Sequence, residues 1–270
     1  MSSPVTSSPV RSSIDVPLER GRFGHTARRD FWWVQPLLTF LGLGGFIVYS
    51  TWAAFQGDHY RFGPYLSPFY SPEIFSITGD DTWFGQFPDW MPIWVTGAML
   101  ILWAPGGFRI TCYYYRGAYY KAFWADPPSC TVGEPRKKYL GERSFPLIIQ
   151  NIHRYFLYIA LIFIVLLAHD VWKAMWLDGQ FGIGVGTLVL FANVILLGSY
   201  TLGCHSLRHL VGGLFDRLAQ RPIRKKTYDC VSCLNRSHML FAWCSLFTVG
   251  FSDLYIRMCS MGIWTDWRIL

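Results

Sequence analysis

Leu147-Ile148-Ile149-Gln150-Asn151-Ile152-His153-Arg154-Tyr155-Phe156-Leu157-Tyr158-Ile159-Ala160-Leu161-Ile162-Phe163-Ile164-Val165-Leu166-Leu167-Ala168 is the stretch that decides the fold. From Tyr155 onward it holds no charge. A helix of this length covers about 30 Å, the thickness of a hydrocarbon core. A helix on a soluble core would keep one face polar at the 3.6-residue period. This one has no such face, so it predicts a helix surrounded by lipid.

Working outward, similar blocks recur. The first runs from about Trp33 to Phe55, the fourth from Ile183 to His205 and the fifth from His238 to Met258. The second starts near Met91 and runs through Leu102. It continues, more polar and aromatic, through Arg109, Cys112 and Tyr113-Tyr114-Tyr115, with Pro105-Gly106-Gly107 as an expected kink. The expectation is an all-α integral membrane bundle of five transmembrane helices over residues 31–262. A flexible cytoplasmic tail, residues 1–30, precedes it, and a short external tail, 263–270, follows. Composition agrees. Hydrophobic residues make up 52% and charged ones only 15%, while the 13 Trp suit a protein with two membrane–water interfaces to line. No apolar core with a small-residue cleavage site stands near the N-terminus, so no cleavable signal is expected.

The net charge of +7 lies in the loops. Membrane topology accounts for it, and nucleic acid is not an expected partner. The N-terminal tail, the 125–145 loop and the 210–236 loop hold most of the Lys and Arg. The 57–90 loop sets Arg61 against Asp58, Glu73, Asp80, Asp81 and Asp89. The positive-inside rule then puts the N-terminus in the cytoplasm and the C-terminus outside, which requires an odd number of spans. The halves differ in span length and loop charge, which argues against an inverted-repeat transporter.

With that orientation the chemistry-bearing residues gather on the inner side. Cys112 ends span two, His153 starts span three, Cys204, His205 and His209 end span four, and His238 opens span five. Cys230 and Cys233 are placed in the loop between. His205 and His209 are four apart, on one helical face. Cys230-Val231-Ser232-Cys233 has the spacing that lets two thiolates reach one metal. Two Cys and two His serve a zinc site or a Rieske-type [2Fe–2S] cluster. One b-type haem on two of the His is a further option. Arg109, Arg116, Arg154 and Arg208 stand among the inner tyrosines. Tyr113, Tyr114, Arg116 and Arg154 are candidate donors to a quinone head group, beside the plainer role of snorkelling cations in an aromatic belt. Asp253, midway in span five, reads first as one interhelical hydrogen bond, with Asn193 and Ser199 as candidate partners.

Three stretches carry a family likeness. Thr111-Cys112-Tyr113-Tyr114-Tyr115-Arg116, Phe145-Pro146-Leu147-Ile148-Ile149-Gln150-Asn151-Ile152-His153-Arg154-Tyr155, and Gly203-Cys204-His205-Ser206 through Arg208-His209 resemble the membrane anchor of actinobacterial succinate dehydrogenase. More broadly, five spans with His at their inner ends resemble the single-chain anchors of succinate:quinone oxidoreductases and fumarate reductases. The resemblance implies a multi-pass subunit of a bacterial inner membrane. Its partners would be a flavoprotein that oxidises succinate, an iron–sulfur subunit, quinone as substrate, and membrane lipid. In the two-haem branch the haem histidines come from the first four spans, but spans one and two hold no His here. A Rieske-type [2Fe–2S] cluster is therefore expected in place of an inner haem. His205, His209, Cys230 and Cys233 are its ligands by spacing, with Cys112, Cys204, His153 and His238 in reserve. The competing functions are a stand-alone b-type cytochrome and a non-redox transporter or scaffold with structural zinc.

Overall fold

The computed structural model describes residues 22–76, 82–136, 143–145, 147–177, 179–213 and 218–270. Most of the expected N-terminal tail, together with Asp80 and Asp81, lies outside the described residues.

Four helices are long and apolar enough to cross a membrane among the described residues. They are α1 (Val34–Gln56), the helical run Leu147–Ala174, Val185–Leu202 and His238–Ser260. α1 stops where Gly57 takes φ +63°, a left-handed C-terminal cap that glycine adopts without steric cost. A two-strand hairpin follows, β1 (Arg61–Phe62) with β2 (Tyr65–Leu66).

The second expected span is three short helices, not one kinked helix: α2 (Gly97–Ile101), α3 (Trp103–Ile110) and α4 (Tyr113–Phe123). Pro105 has no N–H to offer the Ile101 carbonyl, which opens the first break. The second break is at Cys112, extended at φ −64°, ψ 132°. Together the three pieces run alongside α1 in the opposite direction. Thr96, ahead of α2, donates to the Ala54 carbonyl near the C-terminal end of α1. Phe123, at the end of α4, packs on Phe40 near its start.

A 3-10 turn, Leu147–Ile152, leads into α5 (His153–Ala174). A second hairpin, β3 (Trp176–Leu177) with β4 (Gln180–Phe181), connects to α6 (Val185–Leu202). α6 ends at Gly203, Cys204 is extended at φ −65°, ψ 140°, and α7 (His205–Gly212) begins. The expected 210–236 loop is largely helical. α8 (Pro222–Arg236) starts on proline, whose missing N–H is no loss in a first turn. α9 (His238–Ser260) closes the bundle, packed most extensively on α6.

The packing suits lipid. Val48 of α1, Ile162 and Val165 of α5 and Phe247 of α9 are exposed at mid-helix, while small residues such as Ala53, Ala98, Ala242, Ser245 and Ser252 are fully buried. Small residues let helices approach closely where no water drives them together.

The hairpin end of the bundle is tied by polar groups. Arg257 Nε donates to Asp253 Oδ2 at 2.7 Å, and both side chains are essentially inaccessible. Tyr49 and Ser67 donate to the same carboxylate. The rest of the Arg257 fork reaches the carbonyls of Asp58 (2.7 Å) and Ala53 (3.0 Å). Asp253 thus joins three segments, not the one helix pair expected. Asn193 is not its partner, and Ser199 donates to the Ile195 carbonyl. The C-terminal tail is docked on the same end: Asp266 accepts from Tyr65 OH, Tyr255 OH and Gly186 N–H, each at 2.8 Å.

Candidate functional site

At the opposite end, four helix starts converge. Cys112 caps α4, Cys204 caps α7, His153 opens α5 and His238 opens α9. The two cysteines have nearly the same backbone conformation. Each carbonyl accepts the first bond of its helix, from Arg116 N–H at 2.9 Å and from Arg208 N–H at 3.1 Å. Cys112, Cys204 and His153 are buried, and both thiols are free.

The donors meet in pairs. His153 Nε2 lies 3.0 Å from Cys204 Sγ, and His238 Nε2 lies 3.6 Å from Cys112 Sγ. Behind His153, Thr111 Oγ1 donates to the Gly107 carbonyl at 2.7 Å, which leaves its lone pair for His153 Nδ1–H at 2.9 Å. That assigns the proton to Nδ1 and makes Nε2 the bare nitrogen, the arrangement that orients an imidazole toward a ligand. His238 Nδ1 is buried without a partner among the described residues. Each imidazole is held flat by an aromatic ring: Phe108 stacks on His153 at 4.7 Å, and Tyr200 on His238 at 4.8 Å.

The spacing-based ligand set does not assemble. His205 and His209 sit one turn apart on α7, Nε2 to Nε2 at 3.0 Å. Burial first, then neighbouring His209 and Arg208, lower the His205 pKa. Cys230 and Cys233 are exposed on α8 rather than held in a loop. Among the described residues no three of His, Cys, Asp or Glu converge on one metal ion. The CxxC spacing reads as a chelate only where the segment is a loop. In a helix it puts both thiols on one outward face.

A cavity of about 230 Å³ opens beside the Cys–His pairs, lined by Cys112, His153, Cys204, His205 and His238. Tyr113, Tyr114 and Arg116 line it as well. Arg116 lies 4.1 Å over the Tyr113 ring, and Trp243 donates its indole N–H to Tyr114 OH. Arg154 does not line the cavity; it turns outward over Tyr155, 5.2 Å from the ring centre. Sequence reasoning missed Thr111, Gln150, Asn151 and Ser206 on the wall. Gln150 and Asn151 lie inside the family-like stretch before His153, the one signal that marked them.

The sequence matches the model of a family described as actinobacterial succinate dehydrogenase subunit SdhC, over residues 34–262. No curated protein matches the chain. Among solved structures, a chain of the Mycobacterium smegmatis Sdh1 complex in the apo form is 44% identical, with a TM-score of 0.84 over 91% of this chain and 94% of that one. With a family match over most of its length and this close structural likeness, the chain belongs to the actinobacterial SdhC family, the membrane subunit of succinate dehydrogenase.

Proposed function

We propose that the chain is the quinone-reacting anchor of its complex and crosses the membrane five times with its N-terminus in the cytoplasm. The antiparallel run of α2–α4 beside α1 supplies the fifth crossing. The basic loops then lie at the His/Cys end, where a flavoprotein and an iron–sulfur subunit dock.

The observation that carries the redox reading is the gathering of the buried Cys112, Cys204 and His153 with the half-buried His238. Two thiols and two imidazoles are the donor set of a Rieske-type [2Fe–2S] cluster, which passes single electrons at a potential raised by its neutral histidines. Such a cluster takes both thiolates on one iron and both imidazoles on the other; Cys112 and Cys204 would supply the first two ligands, His153 and His238 the second two. A structural zinc needs all four on one ion, and no three donors converge among the described residues. A b-type haem would leave both buried thiols unused. Thr111 orients His153. Phe108 and Tyr200 fix the ring planes. Tyr113, Tyr114 and Arg116 offer O–H and N–H donors to a quinone carbonyl in the adjoining cavity.

The test uses two pairs of substitutions in the purified complex. His153→Ala with His238→Ala should abolish the low-temperature EPR signal and the acid-labile sulfide of this subunit. His205→Ala with His209→Ala should keep both. Haem iron without sulfide in the wild type, or loss of the signal only in the second pair, would overturn the assignment.

A further inference from the structure

Four arginines stand near the Cys–His pairs. Arg116 and Arg154 stack over Tyr113 and Tyr155, whose side chains are exposed, and Arg208 lies 5.2 Å over Tyr228. Water and salt screen exposed charges of this kind. Arg109 is placed differently. It lies on α3, three residues before the break at Cys112, and its guanidinium carbon is 4.9 Å over the ring of Tyr200, which is 1% exposed.

Neutral groups fix the guanidinium there. Nη1 donates to Tyr115 OH at 2.8 Å and to the Ala242 carbonyl at 3.2 Å, and Nη2 donates to Ser245 Oγ at 2.9 Å. Tyr115 OH and Ser245 Oγ each donate to the Ala242 carbonyl as well, at 2.7 and 3.3 Å, so neither hydroxyl needs Arg109 to place its own proton. No carboxylate among the described residues pairs with Arg109. An Arg does not shed its proton, so a full positive charge stays at this place. A cation held inside a membrane bundle without a counter-charge is costly and points to function. The Tyr200 ring connects that charge to the site: it stacks on His238 at 4.8 Å, with 19° between the planes. The two contacts put the charge within about 10 Å of the His238 imidazole, a separation over which exposed ions are screened and partly buried ones much less.

We propose that Arg109 is a fixed cation that raises the potential of the redox centre at Cys112, Cys204, His153 and His238. The inference rests on the reading of those four residues as a redox centre. Reduction adds one electron to the centre and leaves the Arg109 charge as it was. The attraction between them therefore favours the reduced form by one full unit of charge. At an effective dielectric constant of about 20 and a separation of about 10 Å, that attraction moves the redox equilibrium about tenfold. The intervening ring matters to this role. Arg109 donates to neither thiol and neither imidazole, so its charge acts through space and leaves the donor atoms free for a metal. Tyr200 also meets Phe108 edge-on at 5.5 Å, and Phe108 stacks on His153, so the same aromatic layer separates the cation from both imidazoles.

The experiment is a redox titration of the purified complex, partner subunits included, read by low-temperature EPR. The signal followed is the one that His153→Ala with His238→Ala removes. Arg109→Gln should lower its midpoint potential by about 59 mV, which is tenfold for a one-electron couple. Arg109→Lys keeps the charge and should recover most of that shift. If Arg109→Gln fails to assemble, Ser245→Asp sets a carboxylate against Nη2 and should lower the potential in the same direction with Arg109 still in place. A potential left unchanged by the charge-removing or charge-cancelling variant overturns the role of Arg109, and so does an equal fall in Arg109→Lys and Arg109→Gln; either result leaves the redox centre standing. A wild-type complex with no such signal overturns the reading of the redox centre, and this inference with it.

Discussion

Arg257→Met isolates the cost of a buried, unpaired charge at the hairpin end. In the native chain Asp253 and Arg257 are 0% and 1% exposed, and the guanidinium satisfies the carboxylate and two carbonyls together. Removing one partner of a buried ion pair costs about 3–5 kcal/mol, because the other charge keeps its desolvation penalty. The Ala53 and Asp58 carbonyls lose their donor too, and an unmet buried polar group costs about 1–3 kcal/mol. Tyr49 and Ser67 still donate to Asp253, which keeps the total at the lower end. A loss of about 4 kcal/mol corresponds to a melting temperature lower by roughly 8–16 °C for a chain of this size. The assay is thermal unfolding of the purified complex in mild detergent. Asp253→Leu combined with Arg257→Met is the control, since replacing both charges with apolar groups of similar volume is far less costly than orphaning one. A single variant that melts within two or three degrees of wild type refutes the argument. A double variant less stable than the single refutes it as well.

Three further outcomes are expected. Tyr114→Phe with Arg116→Ala should slow quinone reduction tenfold or more while succinate oxidation by an artificial dye survives, both assayed on the intact complex. A Cβ at Gly107 would overlap the Phe156 ring of α5, so Gly107→Val should cost about 1–3 kcal/mol, and Phe156→Ala in the same chain should recover part of it in the same melting assay. A single Cys at position 89 of an otherwise Cys-free exposed surface should react with an impermeant reagent on intact cells, and one at 226 should not; the reverse labelling would invert the topology.

The spans were legible because lipid imposes one rule on long segments: apolar residues all round, for about 20 residues. The expectation was less accurate where that rule does not act. Pro105-Gly106-Gly107 announced a disturbance in the second span, but nothing local distinguished a kink from a division into three helices. Asp253 reads from the sequence as a buried acid, but the sequence does not mark Arg257, four residues on, as its partner. The site was legible by residue type, not by ligand. The CxxC and the i,i+4 His pair suggest chelation, but the CxxC sits on an outward helical face and His205 alone of the His pair lines the cavity. Cys112 and Cys204 share no sequence neighbourhood with His153 or His238, so only tertiary packing reveals their pairing.

The breaks that made the second and fourth spans hard to read are what create the site. Inside a continuous helix Cys112 and Cys204 would point where the helical period sent them. At a break each is extended, and its backbone can turn the thiol inward while its carbonyl starts the next helix. His153 and His238 open their own helices, so the four starts meet around one buried volume with Arg109 beside it. The polar ties gather at the other end, where Asp253, Arg257 and Asp266 hold α1, α6, α9 and the hairpin together. Separating the two roles lets the site end keep broken helices and open cavities without loosening the bundle.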